Sequence, residues 1–490
     1  MVPPARLVVL SLAATFVAFA SACSSADSAT SPKSATPLGR GLTADASGTT
    51  TIYSTAAVSA SPSQLVKGWG VYPGGGTGVF WNKPAIENAI YALGVTFVRE
   101  RVDPALYISG STVANTVLNQ ALLNGYIAKL KSAKAHGVSS YIMSVWSPPA
   151  SMKTNNSTTG AGYLRTDKEA AFVAFLTKVM LSIKASGLQL PAMLSIQNEP
   201  EYTAKYDGCK YTPAVWQQVL QDVRGAFDYN GLSSIGLFGP ENGTYGASIY
   251  YDYTTNSPGY LGGPGFASLN NSSMNHAVGG YAHHMYGECN IFLMQDAMSA
   301  HPKDAWLTEF SELELESNSE LTKTIDMFRA IGAAMVIVPH SYWAWWNGYA
   351  TSSSAPDGQT LVTGTSTPIY SKRYWGLKKL FTTVRPGWTV RTMISSDPSL
   401  QVGGGSQDQC AARVDLMAFE NGQWNQTVVL MVNTSSNPRS IYVTGLKGTA
   451  GTRYLTNAWN DMQSQGTFTV GNGKASIIVP PQSVVLAVTN

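Results

Sequence analysis

Residues 115–147 read NTVLNQALLNGYIAKLKSAKAHGVSSYIMSVWS. Leu118, Leu122, Tyr126 and Leu130 recur at every fourth position, which gives a helix one apolar face. Gly137 follows as the residue that can close such a helix in a left-handed conformation. The chain then enters Tyr141, Ile142, Met143 and Val145, a short apolar run of the kind that forms a strand buried on both faces. A helix delivered by a glycine into a buried strand is the repeating unit of a parallel sheet.

The same unit recurs along the chain. Apolar runs appear as VKGWGVYP, VTFVRERV, SYIMSVWS, AMLSIQNEP, SIGLFGPEN, GYAHHMYG, AWLTEFS and SYWAWWNG. Helical stretches lie between them, among them KEAAFVAFLTKVMLSIKASG, which closes on Gly187. Eight strands alternating with helices predict a (β/α)8 TIM barrel over residues 65–384. No Gly-x-Gly-x-x-Gly follows a strand, so an open dinucleotide-binding sheet loses its main signature. After residue 384 the texture changes. TVRTMISS, RVDLMAFEN, WNQTVVLMVNTSS, RSIYVTGL and KASIIVPPQSVVLAVTN are short alternating strands between Gly, Asn and Ser turns. They predict an all-β sandwich at 385–490. Residues 48–64 also read as a strand, expected to pair with that sandwich rather than with the barrel.

The N-terminus reads as a targeting segment. Arg6, the run LVVLSLAATFVAFA and the small residues before Cys23 describe a secretory signal peptide over residues 1–23. Ala20-Ser21-Ala22-Cys23 resembles a bacterial lipobox, with Cys23 the candidate for lipidation. Residues 24–47 are dominated by Ser, Thr, Ala and Gly and are expected to form a flexible tether. No later run is long and apolar enough to span a membrane. The expectation is a secreted or surface-anchored monomer whose only membrane contact is the lipid.

Composition narrows the partners. Charged residues are 12% of the chain and the net charge is +3, with Lys and Arg scattered, so no nucleic-acid footprint is visible. Aromatics reach 10%, with 12 Trp and 24 Tyr. Beyond Cys23 the cysteines are Cys209, Cys289 and Cys410. None stands in a CxxC or a Cys/His cluster, so no metal or other cofactor is expected. Cys209 and Cys289 each lie just beyond a strand end and are candidates for a disulfide, leaving Cys410 free.

In a TIM barrel the side chains that do chemistry project from the C-terminal ends of the strands. The fourth run ends on Asn198 and Glu199, the sixth on Tyr286 and the seventh on Glu309. The third and eighth bring Trp146, Trp345 and Trp346. Two carboxylates at one mouth, ringed by Trp and Tyr, suit glycosidic-bond hydrolysis, where one acid protonates the leaving oxygen and the other attacks the sugar. The charge of Glu309 is expected to hold Glu199 protonated. Glu312, Glu314 and Glu316 read as a solvated segment beyond the strand. Arg99 or Arg101 could pair with a carboxylate inside the barrel, and one of His283 and His284, here taken as His284, could line the site.

LSIQNEP, HHMYG, WLTEFS, YWAWW and GWGVYPGG, with VWSPPASMKTNN after the third strand, together resemble glycoside hydrolase family 30. The stretch Tyr374–Trp388 and the terminal VPPQSVVLAVTN extend the resemblance over residues 65–490. It implies that Glu199 is the acid/base, Glu309 the nucleophile, Asn198 the partner of the reacting sugar's 2-hydroxyl, and Tyr286 a hydrogen-bond partner of Glu309. The family includes xylanases, β-1,6-glucanases, β-1,6-galactanases, glucosylceramidases and exo-acting xylosidases, and this chain looks nearest the xylanase-like branch. Glucuronoxylan-specific members carry an Arg after the eighth strand. Asn347–Gly364 here, NGYATSSSAPDGQTLVTG, has none, so an endo-β-1,4-xylanase without strict glucuronate dependence is expected. A β-1,6-glucanase or other family 30 β-glycosidase is the alternative. A non-catalytic carbohydrate-binding surface lipoprotein is the reading from a different class.

Overall fold

The structure, a computed structural model, describes residues 42–44, 50–74, 83–243, 251–252, 257–262, 264–286, 298–400 and 413–490. Cys23, Cys289 and Cys410 lie outside the described residues.

Eight parallel strands close into a barrel in chain order: β2 (Gly68–Val71), β3 (Phe97–Val102), β4 (Ser140–Val145), β5 (Met193–Ser195), β6 (Gly236–Asn242), β7 (Gly280–His284), β8 (Ala305–Glu309) and β9 (Tyr342–Trp345). The surrounding helices include α1 (Pro84–Tyr91), α2 (Gln120–Ala135), α3 (Glu169–Ala185), α4 (Pro213–Tyr229), α5 (Ser272–Ala277), α6 (Glu320–Val336) and α7 (Lys372–Thr383). Helix α2 starts later than its periodicity suggests. Asn119 caps it by accepting the Leu122 N–H, and Leu118 pairs with Tyr107 in a short strand instead. The buried face is therefore Leu123, Tyr126, Leu130 and Ala133. Gly137 and Gly187 close α2 and α3 at φ +89° and +77°.

The floor of the barrel is plugged by Phe97, Ile142, Met193, Phe238, Ala282, Trp306 and Ala344. Trp306 stacks on Tyr342 and Phe238. Gly70 makes room for this layer: a Cβ there would meet the Phe97 ring at 2.3 Å. Above an apolar plug, polar side chains that point inward are held away from water on one side and open to the mouth on the other.

The second layer system is one continuous sheet that folds over itself. Its strands are β1 (Thr50–Leu65), β10 (Thr389–Ser395), β11 (Leu416–Asn421), β12 (Gln426–Asn433), β13 (Arg439–Thr444), β14 (Ala450–Thr456), β15 (Asp461–Thr469), β16 (Lys474–Val479) and β17 (Ser483–Thr489), in the order β15-β14-β17-β12-β11-β10-β1-β13-β16. Strand β1 lies between β10 and β13, antiparallel to the first and parallel to the second. Leu42–Ala44, expected within the flexible tether, form a short strand antiparallel to β1.

Barrel and sandwich share one apolar core. Trp69 on β2 stacks on Phe381 and meets the edge of Phe419, and its Nε1 donates to the Val384 carbonyl at 2.6 Å. Two ion pairs fasten α6 to the sandwich side, Arg329 to Asp415 at 2.6 Å and Arg413 to Asp326 at 2.7 Å.

Candidate active site

The strand pleat decides which side chains reach the barrel interior. On β3 Phe97, Arg99 and Arg101 point inward, while Glu100 points outward to pair with Lys129 of α2 at 2.8 Å. Arg99 is fully buried and serves as the hub. Its Nη1 donates to Glu309 Oε2 at 2.6 Å, its Nη2 to Asn198 Oδ1 at 2.5 Å, and its Nε to Glu241 Oε1 at 3.1 Å. The guanidinium also lies over the Trp146 ring, 4.3 Å from its centre.

Beyond the end of β5 the backbone of Asn198 and Glu199 is tied to both neighbouring strands, β4 and β6. The Asn198 N–H donates to the Val145 carbonyl at 2.6 Å and the Glu199 N–H to the Glu241 carbonyl at 3.0 Å. Glu199 itself sits at φ +49°, in the left-handed region that costs a side-chain-bearing residue about 1–2 kcal/mol. Gly243 faces its carboxylate so closely that a Cβ there would stand 2.9 Å from Oε1. The turn thus aims the carboxylate across the mouth.

There it meets His284. The imidazole Nδ1 lies 3.1 Å from Glu199 Oε1 and Nε2 lies 3.8 Å from Glu309 Oε2. Oxygens of Glu199 and Glu309, with a nitrogen of His284, all fall within 4.8 Å of one another. Tyr286 donates to Glu309 Oε1 at 3.2 Å and lies 3.0 Å from Ser311 Oγ. A guanidinium already occupies Glu309 at 2.6 Å, which opposes a metal cation in the same place.

The protonation order differs from the expectation that Glu309 would hold Glu199 protonated. Burial pushes the Glu199 carboxyl up, but the hydrogen bond and charge of His284, then Tyr206 and Arg99, outweigh it and hold it below the ordinary range. Burial lowers His284, yet Glu309 and Glu199 together raise it above its ordinary value. Burial lifts Glu309, with His284 and Arg99 pulling the other way. His284 thus faces two carboxylates that favour its charged form, while Arg99 Nη2, 3.4 Å from its Nε2, opposes that charge.

A cleft of about 660 Å³ opens above this cluster. Among the described residues it is lined by Trp146, Asn198, Glu199, Tyr286, Glu309 and Trp346, all read from the sequence as site residues. Trp346 stacks on Tyr72 at 4.3 Å, and Trp146 lies 5.8 Å from each of those rings. Arg99 and His284 lie beneath, wholly buried.

Two expectations are corrected. Trp345 does not reach the cleft: pleating turns it outward, where it is fully buried against Phe310, Trp343 and Arg373. Glu312 is not solvated but buried. Cys209 is a buried thiol packed against Leu164, Lys153 and Tyr211. Its candidate disulfide partner, Cys289, lies outside the described residues.

The loop after β5 carries contacts that the strand ends could not reveal. Tyr206 donates through its hydroxyl to Glu199 Oε2, and Asp207 pairs with Arg101. Glu201 accepts from the Gly243 N–H at 2.7 Å and from Asn242 Nδ2 at 3.1 Å. The available signal was EPEYTAKYD, two tyrosines and two further acids within eight residues of Glu199.

No protein family model matches the sequence. A glucuronoxylanase of Bacillus subtilis is 25% identical over 371 residues, which cover 72% of this chain and 74% of that protein. A glycoside hydrolase family 30 subfamily 8 xylanase from Clostridium acetobutylicum superposes with a TM-score of 0.66 at 21% identity, over 89% of this chain and 99% of that one. An endo-β-1,6-glucanase superposes with a TM-score of 0.64 at 16% identity, over 89% of this chain and 93% of that one. The sequence is thus similar to that of a glucuronoxylanase, and the fold of barrel and sandwich is similar to that of solved glycoside hydrolase family 30 xylanases.

Proposed function

We propose that the protein is a retaining glycoside hydrolase that cleaves a β-linked polysaccharide, an endo-β-1,4-xylanase in activity, with Glu309 as nucleophile and Glu199 as acid/base. The observation that carries this reading is the closeness of the two carboxylates, oxygen to oxygen within 4.8 Å. Retaining enzymes set their carboxyl groups about 5–5.5 Å apart, whereas inversion needs about 6.5–9.5 Å to admit a water. The likeness to xylanases supports the choice of substrate.

The guanidinium at 2.6 Å and the imidazole of His284 at 3.8 Å favour the anion of Glu309 against its burial, and in that form it attacks the anomeric carbon. A sugar chain in the cleft expels water from Glu199 and raises its proton affinity. His284 Nδ1 holds Oε1 at 3.1 Å, and Glu199, protonated on Oε2 toward the cleft, delivers that proton to the glycosidic oxygen as the C–O bond breaks. Glu309 forms the glycosyl ester. In the second half Glu199 takes a proton from water, which attacks the anomeric carbon and frees Glu309. Asn198, its Oδ1 held by Arg99, presents its amide to the sugar hydroxyl beside the reacting carbon, where a bond that strengthens in the transition state contributes to rate.

The lipobox at Cys23 supports a further part of the same proposal, that the enzyme acts outside the cell as a lipid-anchored monomer. The test is hydrolysis of a panel of xylans and β-1,6-glucan, with product sizing and proton NMR of the first anomer released. Xylo-oligosaccharides released first as the β-anomer support the reading. Activity on β-1,6-glucan alone moves the substrate and leaves the mechanism. Carbohydrate binding without hydrolysis sinks it in favour of a binding protein.

A further inference from the structure

Both oxygens of Glu199 accept hydrogen bonds from side chains of the protein. His284 Nδ1 takes Oε1 and the Tyr206 hydroxyl takes Oε2. Tyr206 stands seven residues beyond Glu199 on the loop after β5, and 47% of its surface remains exposed. The next two residues of the loop hold it in position. Asp207 pairs with Arg101 on β3, the Gly208 N–H donates to the Thr158 carbonyl at 2.9 Å, and Lys153 donates to the Gly208 carbonyl. The ring therefore hangs over the mouth from an anchored hinge, touching the acid from the solvent side.

We propose that Tyr206 is a displaceable cap on the acid/base: it holds Glu199 ionised in the free enzyme, and the glycosidic oxygen of the bound substrate must replace its hydroxyl. The inference rests on the assignment of Glu199 as acid/base. Its geometric core is that a protonated Glu199 must offer a proton to the leaving oxygen from the cleft side, which is where Tyr206 now donates. A phenol that donates to a carboxylate favours the anion. Displacement removes that donor and the local water together, so the acid becomes protonated only when a substrate is there to receive the proton. Glu199 also faces Arg99 from β3, His284 and Tyr286 at the end of β7, Glu309 from β8, and Glu201 on its own loop. Those groups set the baseline that Tyr206 modifies.

The test titrates Glu199 directly. Protein labelled with 13C in the glutamate side-chain carboxyls is monitored by NMR, with the Glu199 signal assigned by its loss in Glu199→Gln. Tyr206→Phe should raise the Glu199 midpoint by about one to two pH units, the worth of one hydrogen bond to a charged group. The alkaline limb of kcat/KM on polymeric substrate should move up with it, and KM should fall because nothing need be displaced. An aryl glycoside with a good leaving group, which needs no proton, should show no such shift. Asp207→Asn, which loosens the hinge without touching the ring, should shift the midpoint the same way by less. An unchanged or lowered midpoint in Tyr206→Phe overturns the proposal. The titration needs no turnover, so inactivity on every polysaccharide would fell the glycosidase reading by a separate result.

Discussion

Arg99 Nη1 lies 2.6 Å from Glu309 Oε2, and neither group reaches open solvent on the arginine side, where exposure is nil. The same guanidinium holds Asn198 and Glu241. Leaving a buried carboxylate without its partner costs about 3–5 kcal/mol. Arg99→Lys keeps the charge but loses the planar fork. It is expected to lower kcat/KM at least a hundredfold while the protein remains folded, read by steady-state kinetics beside circular dichroism. Activity within a few-fold of wild type would show that Arg99 is only a core ion.

Glu309→Gln should abolish hydrolysis of every substrate. Glu199→Ala should retain turnover of substrates with good leaving groups, since only the poor leaving group needs a proton, and added azide should accelerate it by intercepting the glycosyl ester. A β-glycosyl azide among the products is the diagnostic, because a second displacement at the same carbon restores the β configuration. An α-glycosyl azide would contradict double displacement.

His284 is raised above its ordinary 6.5, despite its burial, by Glu309 and Glu199. Its folded-state proton affinity exceeds the unfolded one, so its contribution to stability is complete below 6.5 and is lost as pH rises through the folded midpoint. Imidazole 15N NMR should find a cation at pH 6.5. The alkaline fall in Tm should be shallower in His284→Asn than in wild type.

Burial, with Glu199 adding to it, pushes Glu201 up to about 7. A carboxyl raised in the fold is at no disadvantage below its unfolded pKa near 4.5 and becomes a growing one as pH rises toward 7. The Tm of Glu201→Gln relative to wild type should therefore improve between pH 4.5 and pH 8. A difference that stays flat across that interval would place Glu201 in contact with water rather than within the cluster.

Asn347–Gly364 carries no cation. Arg373, beyond it, is buried in α7 against Glu320 and the loop carbonyls, and Lys372 pairs with Asp461. Arg101, at the cleft wall, is taken by Asp207. With no unpaired guanidinium at the cleft among the described residues, kcat/KM on undecorated xylan and on glucuronoxylan should agree within about threefold. A preference above tenfold for glucuronoxylan would mean that the Arg101–Asp207 pair opens to grip the substituent, since a charge-assisted bond is worth about 1.5–3 kcal/mol.

The chain alone determined those features that periodicity, a local property, can carry. The alternation of helix and buried run, closed at Gly137 and Gly187, was enough for eight barrel strands and for which of them end in Asn198, Glu199, Tyr286 and Glu309. The β-texture after residue 384 separated the sandwich by the same means. Features that only the tertiary structure decided depend on pleat phase and loop path. One residue of phase sends Trp346 into the cleft and Trp345 into the packing against α7, and a capping Asn119 shifts the apolar face of α2. Arg99 reaches Glu309 through the barrel interior, Tyr206 returns to Glu199 by way of an anchored loop, and Cys209 turns under that loop toward Leu164. The upward shift of His284 arises from these encounters as well, because it depends on two carboxylates 110 residues apart in the chain that are brought to the two sides of one imidazole.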